Sequence, residues 1–201
     1  FSVVGGDYPI WPAKVNSCNL IIDGTAPSMV SSNITAVQNQ PTPDGTNAVV
    51  SVKDGSNMVC QGTVLISVEA SDALSDLSGP PTVVLSNGIY GATATLTGED
   101  PEGIYNYGWT VDPDTPNGTW TATVTATDNA GNVTQQVFTL TVNRNQIYGV
   151  VQSEGFAGTT RAVTFVATGG TSKTWTQALT FTGDTAPYVL IGVPDGTSGI
   201  S

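Results

Sequence analysis

The feature that most constrains this chain is the alternation of apolar with other residues along most of its length. In residues 63–70 (TVLISVEA), Val64, Ile66 and Val68 share one face, because successive side chains of a strand point to opposite sides. Segments with this period of two, rich in Val, Ile, Thr and aromatic residues, are typical of strands with one face in a core. We therefore predict an all-β protein with almost no helix. The pattern recurs in residues 119–127, 138–142 and 163–167.

Clusters of Gly, Pro, Asp and Asn divide the chain into short strands. After the strand at residues 119–127, the stretch 128–132 (DNAGN) supplies the Asn and Gly that close a hairpin. About seven or eight strands within roughly 115 residues are what a two-sheet antiparallel sandwich needs. Fainter strands are predicted near residues 28–37, 48–52, 81–85, 92–97 and 104–111, and four more after a short junction at 144–146, near 147–152, 161–168, 173–182 and 188–193.

The charge balance and the missing residue types exclude several functions. Acidic residues outnumber Lys and Arg 16 to 5, for a formal net charge of −11, which argues against nucleic acid and anionic lipid as partners. The chain has no histidine and 2 cysteines, so the commonest general base and a four-thiolate zinc site are both missing. No run of about 18 apolar residues is present, so we predict no membrane insertion.

Carboxylates that could serve catalysis are present in one turn. Glu99, Asp100 and Glu102 lie close together, and a glycosidase needs two carboxyls at the right separation. All three fall in a Gly/Pro turn, where solvated charge is the ordinary explanation. We therefore predict a protein that is not an enzyme and needs no cofactor, with calcium as the one ion left open.

Two sequence stretches carry a resemblance. Residues 22–27 (IDGTAP), 68–72 (VEASD) followed by 77–79 (LSG), and above all 120–133 (WTATVTATDNAGNV) resemble the Ig-like modules of bacterial surface and secreted proteins. This resemblance implies an Ig-like sandwich over residues 25–143, with a spacer or adhesive role and no shared catalytic residues. It also implies a secreted, extracellular or cell-surface location.

A second resemblance covers the rest of the chain. Residues 149–170 (GVVQSEGFAGTTRAVTFVATGG), 174–183 (TWTQALTFTG) and 188–197 (YVLIGVPDGT) resemble the small β-sandwich module that precedes dockerins in secreted bacterial proteins. More loosely, they are similar to prealbumin-like and collagen-adhesin B-type (Cna-B-like) sandwiches. The resemblance implies a smaller sandwich over residues 146–201 that lacks its closing strand, because one or two strands are expected after Gly196. No dockerin calcium repeat follows, so dockerin function is not implied.

Residues 1–24 fit neither module and are predicted to form an N-terminal arm, either a donor strand or the tail of a preceding module. An apolar, β-prone arm can pair with an open sheet edge on another copy, as in β-augmentation. Such a head-to-tail contact builds a filament from copies of the same chain. The residues predicted to carry this assembly are Phe1, Val3, Val4, Ile10 and Trp11.

The two cysteines and one aromatic row are further candidate sites. In a chain that looks exported, Cys18 and Cys60 are expected to form a disulfide, with two buried thiols or a bond between chains as alternatives. Tyr105, Tyr107 and Trp109 share one face at period two, where they stack on sugar rings or, as the favoured alternative, cover the core.

Acidic clusters in turns are the candidate calcium ligands, since calcium takes six to eight oxygen ligands. The candidates are Asp112 with Asp114, Asp128 with its neighbouring asparagines, and Asp72 with Asp76. None has EF-hand spacing, and the alternative is that Asp and Asn bond their own backbone to make turns.

Two functions are compatible with these observations. The first is a non-catalytic structural subunit of an extracellular surface assembly or fibre, polymerising by strand donation from the arm. The second is a carbohydrate-binding or cell-attachment module of a larger secreted enzyme or scaffold, with polysaccharide as its partner. An exposed aromatic row beside a calcium ion would favour the second.

Overall fold

The computed structural model describes residues 22–42, 46–155 and 158–201. Within these ranges the chain forms two β-sandwiches, fifteen strands in all, with two short 3-10 turns at Ser31–Asn33 and Lys53–Gly55 and no α-helix. The prediction of an all-β sandwich protein is confirmed. None of the described segments is a helix long and apolar enough to cross a bilayer.

The first sandwich consists of two five-stranded sheets. One sheet has the order β2-β1-β4-β8-β7 and the other β3-β10-β9-β5-β6. All pairs are antiparallel except β3 with β10. The strands are β1 Ile34–Pro41, β2 Asn47–Ser51, β3 Met58–Val59, β4 Gly62–Glu69, β5 Thr82–Ser86, β6 Gly91–Thr93, β7 Thr95–Glu99, β8 Ile104–Val111, β9 Gly118–Thr127 and β10 Val133–Val142.

The strand order is that of an immunoglobulin-type sandwich. In chain order β1, β4, β5, β7, β8, β9 and β10 take the places of strands A to G, since β1-β4-β8-β7 reproduces the sheet ABED. The other sheet, β10-β9-β5, reproduces GFC, and β6 extends it in the way that an added strand does in variable-type domains. The Greek-key connections therefore follow from the topology alone.

The core lies between these two sheets and contains the residues that the alternation predicted. On β4, Val64, Ile66 and Val68 are fully buried, whereas Leu65 between them is half exposed. On β9 and β10 the inward residues are equally enclosed, and the four predicted on β9 are 3% exposed or less. These are Trp120, Ala122, Val124 and Ala126, followed on β10 by Phe138, Leu140 and Val142.

Two predicted strands are wrong in their extent. The strand predicted near residues 28–37 begins only at Ile34, because Ser31–Asn33 form a 3-10 turn. Residues 92–97, predicted as a single strand, belong to β6 and β7, which lie in different sheets. The chain crosses between the sheets at Ala94, whose N–H donates to the Val83 carbonyl at 2.9 Å in one sheet, while Thr95 pairs with Gly108 in the other. The short strand β3 was not predicted, because two residues are too few to display a period.

The second sandwich is smaller. Strands β11 and β14 form one sheet, and β13-β12-β15 form the other. Phe165, Leu179 and Leu190 are buried between them. The sequence predicted that this sandwich lacks its closing strand, which is wrong, because β15 lies after Gly196 and pairs with β12. The strands are β11 Gln146–Gln152, β12 Thr160–Thr168, β13 Thr174–Thr180, β14 Thr185–Ile191 and β15 Gly199–Ile200.

Some predicted sites lie outside the described residues. These are the assembly arm (Phe1, Val3, Val4, Ile10 and Trp11) and Cys18.

Candidate functional site: the joint between the sandwiches

The aromatic row on β8 belongs to the core. Tyr105, Tyr107 and Trp109 are 7%, 3% and 4% exposed, so the prediction that they stack on sugar rings is wrong and the core alternative is confirmed. The Tyr107 hydroxyl donates to the Pro81 carbonyl, and burial raises the pKa of Tyr107 to about 12. The Trp109 ring lies 5.2 Å from that of Trp120 between their centroids. The physical reason is that β8 is internal to its sheet and turns this face toward the opposite sheet.

Asp112 organises its own turn. Its Oδ1 accepts hydrogen bonds from the backbone N–H groups of Asp114 at 3.0 Å and Thr115 at 2.9 Å, and from the Thr115 hydroxyl at 3.0 Å. The Thr115 hydroxyl is the main cause of the lowered pKa of Asp112. The turn-forming alternative accounts for these contacts. The carboxylate of Asp100 likewise accepts the backbone N–H groups of Glu102 and Ile104, at 3.0 and 2.9 Å.

Asp128 is the predicted calcium ligand that does meet other carboxylates. Oxygen atoms of Asp23, Asp72 and Asp128 lie within 4.8 Å of one another. Asp128 is 1% exposed, and Asn132 satisfies it through its backbone N–H and its side-chain amide, both at 2.8 Å. The backbone N–H of Ser75 is the main cause of the lowered pKa of Asp72. Carboxylate oxygens suit calcium, and calcium at this position stays a prediction.

The Asn132 side chain also fastens the start of the described chain to this end of the first sandwich. Its amide nitrogen donates to the carbonyls of Asp23 at 3.3 Å and Thr25 at 3.2 Å. Asp23 contributes to the carboxylate cluster although the sequence analysis did not name it as a ligand. It lies in the stretch IDGTAP, whose only signal was the resemblance to Ig-like modules.

Cys60 is buried beside Gln38. The Gln38 side chain accepts from the Cys60 N–H at 2.9 Å and donates to its carbonyl at 2.7 Å, and the thiol lies 3.3 Å from Gln38 Oε1. Burial raises the pKa of the Cys60 thiol to about 11. Since Cys18 is not among the described residues, the disulfide stays a prediction.

The connection between the two sandwiches is only three residues long, and hydrogen bonds fix it throughout. Strand β10 ends at Val142 and β11 begins at Gln146. The Asn143 N–H donates to the Val59 carbonyl at 2.8 Å, and the Arg144 N–H donates to Asn117 Oδ1 at 3.1 Å. The Asn145 N–H donates to the side chain of Asn143 at 3.2 Å. Every backbone donor of this connection therefore has a partner.

Asp195 lies in the turn after β14, and its side chain bonds this turn to the same three-residue connection. Its Oδ1 accepts from the Asn145 amide at 2.7 Å and, at 3.5 Å, from that of Asn117 in the first sandwich. The Asn145 amide also donates to the Val193 carbonyl at 3.0 Å. The Asn145 carbonyl in turn accepts the N–H groups of Gly192 and Val193. One carboxylate therefore contacts both sandwiches.

Lys173 is a second cation at this joint, besides Arg144 of the connection. Its ammonium donates to the carbonyls of Ile191 at 3.1 Å and Gly192 at 2.8 Å, lies 4.9 Å from the centre of the Trp175 ring, and is 3.9 Å from Met58 Sδ in the first sandwich. Desolvation lowers the pKa of Lys173. Lys173 therefore has a structural role: it contacts both the end of β14 and Met58 on β3.

Gly192 allows the two sandwiches to approach. Its φ is +69°, and a Cβ on this residue would collide with Met58 Sδ and lie 2.9 Å from Lys173 Nζ. Beside this contact, a mostly apolar cleft of about 230 Å³ separates the sandwiches, lined by Gln40 and Val50 on one side and Trp175 and Val189 on the other. The two sandwiches are therefore in close contact at Gly192 and are separated by the cleft beside it.

The position of the joint was predicted at residues 144–146, but the side-chain contacts that fix it were not. Asn117, Asn145 and Asp195 come from three separate turns, and each looked like an ordinary turn residue. The available signals were the short junction at residues 144–146 and the Pro-Asp-Gly turn at 194–196, which nothing in the sequence connects to each other.

Comparison with protein-family models, with curated proteins and with solved structures finds no match for this chain. The resemblances to Ig-like modules and to the module that precedes dockerins therefore stay predictions. The fold rests on the strand order described above.

Proposed function

We propose that this chain is a non-catalytic structural subunit of an extracellular surface assembly or fibre, in which the joint holds two sandwiches in a fixed orientation. The observation that carries the proposal is the three-residue connection at residues 143–145, whose backbone donors are all bonded. A subunit that transmits position or force needs such a joint, whereas flexible tethering of independent domains uses longer, polar or glycine-rich linkers.

The energetics of the joint support this role. A neutral hydrogen bond contributes about 0.5–1.5 kcal/mol and one to a charged group about 1.5–3 kcal/mol. Asp195 and Lys173 are charged members of the network, and both bond to groups at the connection or at the end of β14. Because these bonds restrain the same few residues, bending at the joint requires several of them to break together.

The surface also fits a structural protein better than a binding protein. Only 10% of residues are charged, and the outward positions of β9 carry five threonines, at residues 119, 121, 123, 125 and 127. The excess of acidic residues favours solubility and disfavours contact with polyanions.

The carbohydrate-binding alternative loses the observation on which it depended. Its aromatic row, Tyr105 to Trp109 on β8, is in the core. The exposed tyrosines of the described part, Tyr90 and Tyr148, lie in different sandwiches and form no common platform. No described feature favours this second function.

Replacing Lys173 by methionine tests the joint. Methionine keeps the apolar stem but leaves the carbonyls of Ile191 and Gly192 without their charged donor, so we expect a loss of about 1–3 kcal/mol. In differential scanning calorimetry the unaltered chain should unfold in one transition. K173M should show the second sandwich melting earlier, by about 4–8 °C per kcal/mol lost.

Lys53→Met is the matched control. Lys53 also donates to a backbone carbonyl, that of Ser31, but within the first sandwich and away from the joint. It should leave the melting of the second sandwich unchanged. Two independent transitions in the unaltered chain, neither moved by K173M, would contradict a joint that couples the sandwiches.

A further inference from the structure

Arg144 is a cation whose guanidinium group bonds to none of the described residues. Its backbone N–H donates to Asn117, but its side-chain Nε is buried and has no hydrogen-bond partner. Among the described residues the guanidinium also forms no ion pair and no contact with an aromatic ring. The other three cations of the described chain each donate to an oxygen, namely Lys53 to Ser31, Arg161 to Ser153 and Lys173 to Gly192. Because a buried N–H of a charged group is costly without an acceptor, Arg144 is a candidate ligand-binding residue.

Asp112 is an acidic residue close enough for Arg144 to act on it, but it does not bond to the guanidinium. The Thr115 hydroxyl is the main cause of the lowered pKa of Asp112, and the charge of Arg144 adds to the lowering. Asp112 Oδ1 instead accepts three hydrogen bonds within its own turn, from Asp114 and Thr115. The terminal N–H groups of Arg144 are therefore free to bind a further acceptor.

Arg144 lines a pocket that spans the joint, which we call the joint pocket. Its volume is about 400 Å³, and its lining residues are Gln61 and Gly62 of the first sandwich, Arg144 of the connection, and Gln146 and Tyr148 of β11. Gln61 is exposed, and its amide bonds to none of the described residues. Tyr148 is 63% exposed, and its hydroxyl donates to the side chain of Gln146. The pocket therefore combines one cation, two amides and an aromatic ring at a domain interface, where small-molecule sites are common.

The charges around the joint pocket favour an acceptor with a single negative charge. Arg144 is the charged residue of the lining, and Asp112 lies near enough to oppose a second negative charge. The net charge of −11 also disfavours a doubly charged group such as a phosphate. A carboxylate carries one charge, and its two oxygens match two N–H groups of a guanidinium. Since Nε is buried, the terminal nitrogens of Arg144 supply these two N–H groups.

We propose that the joint pocket binds the carboxylate group of a small ligand, with Arg144 as the cation that holds it. A pocket of this volume accommodates a molecule of about the size of a monosaccharide or a dipeptide. Gln61 and Tyr148 then contact the rest of the ligand, so one molecule touches both sandwiches. A sugar acid and an amino-acid derivative share this carboxylate chemistry, and the experiment below separates them. The inference does not rest on the proposed structural function.

Two matched pairs of probes test for carboxylate binding by the whole chain, residues 1–201. D-galacturonate is paired with D-galactose, and N-acetylglycine with N-acetylglycinamide, so that each pair differs in the carboxylate. Titrations are followed by nuclear magnetic resonance of the ¹⁵N-labelled chain. At least one carboxylate probe should bind with a Kd of about 1 mM or lower, and about tenfold more tightly than its neutral match. Because the pocket spans the joint, the side-chain N–H of Arg144 and the backbone amides of Gly62 and Gln146 should shift together.

Arg144→Gln removes the cation of the joint pocket and keeps a polar side chain. It should weaken binding of the carboxylate probe by at least about tenfold and leave binding of the neutral match unchanged. Lys53→Gln is the matched control, because it removes one positive charge from the first sandwich at a residue that does not line the pocket. It should bind the probes like the unaltered chain. Circular dichroism checks that both variants are folded.

The pattern of binding identifies the source of the carboxylate. Binding of both carboxylate probes supports recognition of the carboxylate itself, whereas binding of one alone assigns the ligand as a sugar acid or an amino-acid derivative. The inference would be overturned if no probe bound, if neither carboxylate bound better than its neutral match, or if Arg144→Gln bound like the unaltered chain. The unaltered chain alone decides the first two outcomes, whether or not the variant folds. None of these outcomes affects the calorimetric test of the joint, so the two proposals fail separately.

Discussion

Replacing Gly192 by alanine is expected to lower the free energy of unfolding of the second sandwich by about 2–4 kcal/mol. A left-handed backbone costs an L-residue about 1–2 kcal/mol, and Gly192 has a φ of +69°. The added Cβ also collides with Met58 Sδ and crowds Lys173 Nζ, and overpacking of this kind costs about 1–3 kcal/mol. Urea unfolding followed by circular dichroism measures the loss.

Gly183→Ala separates the two causes. Gly183 lies just before β14, has a φ of +64°, and has open space around the position of a Cβ. Gly183→Ala should therefore lower the free energy of unfolding only by the cost of the left-handed backbone, about 1–2 kcal/mol. Equal losses for the two variants would show that the contact across the joint contributes nothing, which is the opposite of what we expect.

Replacing Trp109 by alanine is expected to cost about 3–5 kcal/mol of the free energy of unfolding. Trp109 is 4% exposed and packs on Trp120, so truncation leaves a cavity between the two sheets of the first sandwich. Guanidinium unfolding monitored by tryptophan fluorescence measures the change, since Trp120 stays in place as a reporter.

Tyr90→Ala is the control for an aromatic residue that is not in the core. Tyr90 is 55% exposed, and truncation of such a residue should change stability by less than about 0.5 kcal/mol. If Trp109→Ala were as well tolerated as Tyr90→Ala and abolished binding to a polysaccharide, the assignment of this row to the core would be wrong.

Most strands were predictable because the alternation of apolar and polar side chains within each strand is visible in the local sequence. Strand β8 was predicted at its observed bounds, and β4, β9, β11 and β12 within about one residue at each end. All of these except β11 have at least three apolar residues at period two. The prediction failed where a strand is too short to display a period, as at β3, or where the chain changes sheets, as at Ala94. A change of sheet leaves the alternation intact and therefore leaves no trace in the sequence.

The candidate site was not predictable, because its contacts join residues far apart in the chain. Asn117 and Asp195 are 78 residues apart, and each makes an ordinary turn. The carboxylate cluster was found only in part, since Asp128 and Asp72 were named in separate candidates and Asp23 in none. The aromatic row on β8 shows a different limit. A period of two predicts that its three rings share one face of the strand, but it does not predict which face is buried.

In the proposed function, the joint holds the two sandwiches in one orientation. Single-pair fluorescence resonance energy transfer measures this most directly, with dyes attached through unnatural amino acids at exposed positions Val84 in the first sandwich and Thr176 in the second. Measured at concentrations far below assembly, the pair should give one narrow transfer efficiency, as narrow as that of a reference pair at Val84 and Leu65 within the first sandwich. A broad distribution, or two populations that exchange, would contradict the claim.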